Sequence, residues 1–201
     1  MLVILRERER ERVKVGIAAV PFGKSKSGTK RIVAPKSYWG FDDTQIPDKR
    51  YFDEMLRISK NQIIFGGNYF VEYLYNSSCW IVWDKDNGES FFADCDLAWT
   101  SFKTAVRKFK WRWYGMLQED MKNKEIREHP TQKPIELFKW ILMNYSQESD
   151  LILDPFLGSG TTAVAAKQLG RDFIGIEISP KYCEISRERL RQEVLDFGGG
   201  K

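Results

Sequence analysis

Apolar residues fall in short runs along this chain, divided by polar and glycine-rich stretches. Leu2-Val3-Ile4-Leu5 is the first, a short candidate strand. Arg6 to Arg12 then alternates in charge sign. At helical spacing every face carries both signs and none is apolar, so the segment reads as a solvated helix or a disordered arm. Val13 to Val20 recovers apolar character and reads as a strand. Residues 24–37, rich in Lys, Ser, Gly and Pro, read as a loop.

From Pro47 the pattern is regular. Pro47 to Ile58 predicts a helix with Tyr51, Met55 and Ile58 on one side. Asn61 to Phe65 predicts a strand stopped by Gly66 and Gly67, and Ser78–Trp83 and Leu97–Phe102 predict two more. From Phe109 to Trp113 aromatic and cationic residues alternate, the pattern of a strand with rings inward and cations outward. Ile135, Leu137, Phe138, Ile141, Leu142 and Tyr145 share one face of a predicted helix from Pro134 to Tyr145. Leu151-Ile152-Leu153 reads as a strand, Ala163 to Leu169 as a helix, Phe173 to Ile176 as a strand and Tyr182 to Leu190 as a helix. Strands alternating with helices predict an α/β fold whose parallel sheet is covered on both faces.

At 201 residues the chain fits one domain with a real core. Residues 1–16 would be a charged arm, 103–128 a basic and aromatic insert, and 191–201 a flexible tail. No apolar run approaches the roughly 20 residues of a membrane span. The start is charged within its first six residues, so no secretory signal is expected. Cys79, Cys95 and Cys183 are an odd number without a close pair. That favours buried thiols in a reducing, cytoplasmic compartment over a disulfide frame or a zinc site. His129 is the one histidine, so chemistry needing clustered histidines or a metal is poorly supplied. A net charge of +4 permits nucleic-acid binding without demanding it.

The most informative stretch is Asp154-Pro155-Phe156-Leu157-Gly158-Ser159-Gly160-Thr161-Thr162, between a predicted strand and a predicted helix. Such a glycine turn lets backbone approach a bound cofactor closely. Glu177, at the tip of the next strand, is placed to hold ribose hydroxyls. A phosphate-binding P-loop is excluded because no Lys follows Gly160. A dinucleotide fingerprint tolerates Ala163 but does not account for the Asp-Pro-Phe lead-in.

All nine residues resemble the cofactor motif of S-adenosylmethionine-dependent DNA amino-methyltransferases, which methylate adenine N6 or cytosine N4. Three further stretches share the resemblance: His129-Pro130-Thr131-Gln132-Lys133-Pro134, Arg50 to Phe70, and Trp80 to Lys85. It covers about residues 38–190 in the permuted order, catalytic half first. It implies a Rossmann-like methyltransferase fold, S-adenosylmethionine as cofactor, and duplex DNA with a flipped-out base as partner. It assigns cofactor binding to Asp154, Phe156, Gly158, Gly160, Thr161 and Glu177. Thr131 and Lys133 would lie at the methionine end, where a hydroxyl and an ammonium suit a carboxylate. Thr131 also suits a helix cap, with Pro134 in the first turn. Adenine is favoured over cytosine by family frequency alone.

The catalytic loop departs from the family pattern of Asp or Asn, Pro-Pro, then Tyr or Phe. The aligned stretch is Ala19-Val20-Pro21-Phe22-Gly23, which keeps Pro21 and a base-stacking candidate, Phe22, but has no acceptor side chain at Ala19. Impaired transfer is therefore expected. No Gly-Asp precedes Ala19 either; the start would be degenerate, truncated, frame-altered or a lineage-specific arm. Between Lys103 and Tyr114 there are five cations and no acid, and Lys108, Lys110 and Arg112 are the expected phosphate contacts. The rival readings are an inactive cofactor- or DNA-binding remnant, an RNA or protein methyltransferase, and a nicotinamide-dependent oxidoreductase.

Overall fold

The computed structural model describes residues 2–5, 47–88, 92–114 and 116–192. Expectations for residues 6–46, including the charged alternation, the Val13–Val20 strand and the Ala19–Gly23 loop, lie outside the described residues, as does the tail from residue 193.

A seven-stranded sheet organises the described residues, in the order β5-β3-β4-β2-β1-β8-β9. These strands are β1 (Leu2–Leu5), β2 (Ser59–Phe65), β3 (Trp80–Asp84), β4 (Cys95–Thr100), β5 (Arg107–Lys110), β8 (Ile152–Asp154) and β9 (Phe173–Gly175). A small hairpin, β6 (Trp113–Tyr114) with β7 (Leu117–Gln118), stands apart. The helices are α1 (Lys49–Ile58), α2 (Ile135–Tyr145), α3 (Thr161–Gln168) and α4 (Pro180–Gln192). Thus α4 takes up Arg191 and Gln192, expected to belong to the tail.

The sheet is a Rossmann-like one with two strands reversed. β2, β3, β5, β8 and β9 run one way; β1 and β4 run the other. The mostly parallel sheet expected for this α/β fold is found in mixed form, with five strands in one direction and β1 and β4 reversed; an apolar run specifies a buried strand but not its direction. β1 sits in the middle, with Val3 beside both Gln62 and Leu153. It enters at the edge where β2 and β8 end and leaves where they begin.

Burial on both faces explains this position. Leu2 and Ile4 enter the core beneath α2 and α3, with Ile63, Leu137, Ile141, Ile152 and Ala165. Val3 enters the opposite core with Phe52, Met55, Ile64, Trp99 and Leu153. Each such side chain contributes about 1.5–3 kcal/mol on burial. α1 presents Phe52 and Met55 inward, with Tyr51 and Ile58 flanking them, so the buried stripe lies one residue from the expected one. Asp48 caps α1 by accepting the Tyr51 N–H at 3.2 Å.

β2 ends on Gly66 and a short 3-10 turn, Gly67–Tyr69. Gly67 is forced: a Cβ there would stand 2.4 Å from Trp99 Cβ. Phe109 and Trp111 pack against the core that holds Trp113, so the rings lie inward as their alternation predicts. The single strand expected from Phe109 to Trp113 instead ends at Lys110, and Trp113 begins the hairpin.

Candidate cofactor site

The carboxyl ends of β2, β8 and β9 share one edge of the sheet, and the glycine turn fills it. After β8, the Asp154 carboxylate accepts the Phe156 N–H at 3.0 Å and the Thr162 hydroxyl. The turn is thereby closed on the residue that begins it. Gly158 and Gly160 have φ of 55° and 86°, in the left-handed region that favours glycine. A Cβ on Gly160 would also stand 2.6 Å from Ser186 Cβ on α4. The chain then enters α3, whose first free N–H groups face the same edge.

Glu177, two residues past β9, joins the turn from the neighbouring strand. Its carboxylate accepts the Gly158 N–H at 2.8 Å and the Ser179 N–H at 2.8 Å. Leu157 N–H to Ile176 C=O, at 2.9 Å, ties the same two loops. Two backbone donors orient the carboxylate and leave lone pairs for ligand hydroxyls. Phe156, half-buried, meets the Tyr51 ring at 5.2 Å between centroids. Burial and the Asp154 charge push the Tyr51 phenol up, so it stays neutral.

The segment His129 to Pro134 forms the facing wall. The His129 ring packs on Tyr182 at 4.5 Å and would lie 3.5 Å from a Cβ on Gly158. Its Nδ1 accepts the Thr131 N–H at 3.2 Å and faces the Thr131 hydroxyl at 3.0 Å. Burial, helped by the Lys133 charge, pulls its pKa down to about 4, so the imidazole is neutral. Gln132 is buried and locks this wall to the turn: its Oε1 accepts from Ser159 Oγ at 2.9 Å. Its own carbonyl accepts the Trp113 indole N–H at 2.9 Å.

Lys133 points its ammonium over the Phe65 ring at 4.9 Å. Burial lowers its pKa, while Asp96 and Asp154 act to raise it. Asp96 already carries Lys85, at 2.7 Å. Lys133 makes no hydrogen bond or ion pair among the described residues. A half-buried lysine whose ammonium has no ion pair among the described residues suits a ligand carboxylate.

One expectation needs correction, and other side chains have partners that the sequence did not indicate. Thr131 does not cap α2: Pro134 is the N-cap residue, and the Ile135 N–H is accepted by Glu125 at 2.8 Å. Proline has no N–H to receive a cap, and Glu125 reaches the next residue from a distant loop. The Thr161 hydroxyl is turned to Arg189, at 3.2 Å, so that side chain serves the turn. The cations meant for phosphates are paired. Lys108 lies 3.2 Å from Asp84, and Lys110 and Arg112 lie 2.8 and 2.5 Å from Asp86. Tyr51, Gln132 and Ser159, which lie inside the stretches singled out in the sequence but receive no site role from them, and Ser186 and Arg189, which lie outside them, carry contacts of the site. Among the described residues no group of His, Cys, Asp and Glu is arranged to hold a metal, and no helix is long and apolar enough to cross a membrane.

The chain belongs to the DNA methylase family of N6/N4 methyltransferases, which matches residues 26–188. Over 81 residues it is 49% identical to the type II methyltransferase M2.DpnII of Streptococcus pneumoniae, covering 40% of this chain and 30% of that protein. Over 126 residues it is 35% identical to the type II methyltransferase M2.MboI of Moraxella bovis, covering 62% of this chain and 45% of that protein. The crystal structure of the M1.HpyAVI–SAM complex is similar in fold, with a TM-score of 0.51 and 25% identity over 71% of this chain and 81% of that one. The chain thus spans 30% and 45% of the lengths of these two curated relatives. The family match starts beyond Ala19 to Gly23.

Proposed function

We propose that this chain binds S-adenosylmethionine at the glycine turn and methylates the exocyclic amine of a base in duplex DNA, adenine N6 in the first instance. The observation that carries the reading is the Glu177 carboxylate held on the Gly158 N–H, between two strand tips and beside a facing His129 wall. The similarity to a protein solved with SAM supports the cofactor. In this reading Glu177 takes the ribose hydroxyls, Gly158 and Gly160 give backbone access, and Phe156 borders the site. Lys133 takes the carboxylate of the methionine end, with Thr131 near it. When bound, the cofactor supplies an electrophilic methyl sulfonium.

On the target side, Phe22 would stack on a flipped-out base and Pro21 would precede it. Ala19 offers no side-chain acceptor to the target amine. Losing one preorganised polar group costs on the order of 10²–10³ in rate, so we expect transfer to be slow. Lys108, Lys110 and Arg112 would meet phosphates from the insert spanning 103–128 of a single 1–201 domain. The reading implies a prokaryotic cytoplasm, in keeping with three free cysteines.

Calorimetric titration of S-adenosylmethionine into the parent and the Glu177→Ala variant tests the site. Micromolar binding lost in the variant supports it; no binding to the parent refutes it. The absent acceptor at Ala19 favours a second reading, a remnant that binds without transferring. Ala19→Asp combined with Val20→Pro separates the two: methylation gained by the double variant makes the loop the defect, and its continued absence favours the remnant.

A further inference from the structure

The glycine turn is held from behind by one charged side chain. Arg189 lies on α4, one helical turn beyond Ser186, the residue that packs on Gly160. Its side chain is 14% exposed. Nη1 donates to the Ser159 carbonyl at 2.8 Å, to Ser159 Oγ at 3.1 Å and to Thr161 Oγ1 at 3.2 Å. Ser159 stands between the two left-handed glycines, and Thr161 opens α3. Arg189 therefore spans a stretch whose backbone holds two positive φ angles close together.

The contact has a direction. With Arg189 donating, Ser159 Oγ is left to donate to Gln132 Oε1, at 2.9 Å. Gln132 Oε1 also accepts the Glu128 N–H at 2.9 Å, and Gln132 Nε2 donates to the Ile126 carbonyl at 3.1 Å. On its other side, Arg189 Nη2 lies 3.7 Å from Glu125 Oε2. The Glu125 main chain is paired with the buried Gln118 side chain through both groups, each at 2.8 Å. Polar contacts thus run from the β6–β7 hairpin to the glycine turn, with an ion pair rather than a hydrogen bond at the link between Glu125 and Arg189.

We infer that Arg189 is a positioning residue for the cofactor turn. It holds Ser159 and Thr161 so that the Gly158 N–H and Glu177 keep their geometry, and Glu125 ties it to the segment from the hairpin to His129. Arg189 falls just past the span matched by the family. The inference rests on the reading of this site as one for S-adenosylmethionine, but not on transfer activity.

The test is calorimetric titration of S-adenosylmethionine into the full chain and its Arg189→Gln and Arg189→Lys variants, with circular dichroism to verify folding. Charge-assisted hydrogen bonds are the stronger kind, and the loss of one corresponds to about tenfold or more in Kd. The expected result is that loss in Arg189→Gln, partial recovery in Arg189→Lys, and parent-like dichroism in both. An unchanged Kd in a folded Arg189→Gln variant overturns the inference. Amide hydrogen exchange reads the turn without any ligand. Gly158 and Gly160 should exchange about tenfold faster in Arg189→Gln, the same loss of restraint read locally. If the parent binds no S-adenosylmethionine, the functional reading falls, and exchange alone decides: unchanged protection of the turn ends the Arg189 inference too. Should Arg189→Gln fail to fold, Arg189→Lys and Thr161→Val each remove part of the clamp. Both must then show raised Kd or faster exchange for the inference to stand.

Discussion

The Gly158 amide donates to the Glu177 carboxylate at 2.8 Å, so a glycine of one strand-to-helix turn is fixed by an acid from the next strand. The same carboxylate accepts Ser179 N–H, which fixes the start of the turn into α4. One acidic side chain thus sets the spacing of two loops that a ligand would have to bridge. Its neighbours are backbone donors, which cannot swing away as side chains can.

The two glycines of the turn should differ in what they tolerate. Gly158→Ala strains a φ of 55° but leaves 3.5 Å to the flat His129 ring. Gly160→Ala adds a 2.6 Å encounter with Ser186 Cβ to a φ of 86°. The first should cost about 1–2 kcal/mol of unfolding free energy and the second about 3 kcal/mol or more. Urea unfolding of both variants checks this. Equal costs would mean that α4 yields readily and that its packing does not set the turn.

The turn itself was legible because its determinants are local. Positive φ at Gly158 and Gly160, a strand before and a helix after follow from neighbours in the chain, and so does the placing of Glu177 past β9. The rest of the site depends on segments meeting across the fold. Nothing near Arg189 in sequence says that it reaches Ser159, and nothing near Tyr51 says that it meets Phe156. The same reason explains the α2 cap, where Glu125 arrives from another loop in place of Thr131. It explains β1 as well. Leu2 to Leu5 carries the signature of a buried strand, but its antiparallel place between β2 and β8 is set by partners distant in the chain. The alternation from Phe109 to Trp113 gave the inward rings correctly, because period-2 patterning is local. The acids Asp84 and Asp86 that neutralise the outward cations come from the neighbouring strand and its loop, beyond that pattern.

Stability should depend on pH through His129. The unfolded imidazole takes its proton near 6.5, while the folded one, desolvated and near Lys133, takes it only at about 4. Between those values the unfolded state binds more protons, so stability is full above 6.5 and falls as pH drops through the window. The loss reaches at most about 3 kcal/mol. Glu125 acts in the opposite sense, since burial raises its carboxyl. The informative quantity is therefore the difference between the parent and His129→Phe, measured by urea unfolding at several pH values. That difference should grow towards neutral pH; a constant difference would show that His129 titrates normally in the folded chain.

Lys133 should trade stability for affinity. Its ammonium is desolvated and lies over Phe65 without an ion pair among the described residues. Lys133→Met keeps most of the stem volume and removes the charge, so thermal stability should hold or rise by about 1 kcal/mol. Binding of S-adenosylmethionine should weaken by about tenfold or more, the worth of a charge-assisted contact to its carboxylate. A variant that loses stability and keeps its affinity would place Lys133 in the fold rather than in the site.

The basic edge gives the sharpest test of DNA contact, because its charges are held by acids. Asp86 carries both Lys110 and Arg112, at 2.8 and 2.5 Å, and both cations are well exposed. Their hydrogen bonds to Asp86 pull its carboxyl down, so it stays charged at neutral pH. If the edge takes phosphates, each contact must first displace this pairing. Asp86→Ala should then raise duplex affinity and steepen its salt dependence, by about 0.9 in the logarithmic slope per added phosphate contact. Two released cations would give about 1.8. Fluorescence anisotropy of a labelled duplex across a salt series measures both quantities. Lys110→Ala with Arg112→Ala, made in the Asp86→Ala background, should return the slope to the parent value. Should Asp86→Ala leave affinity and slope unchanged, the paired edge is a structural lattice of charges, and DNA must approach by another face.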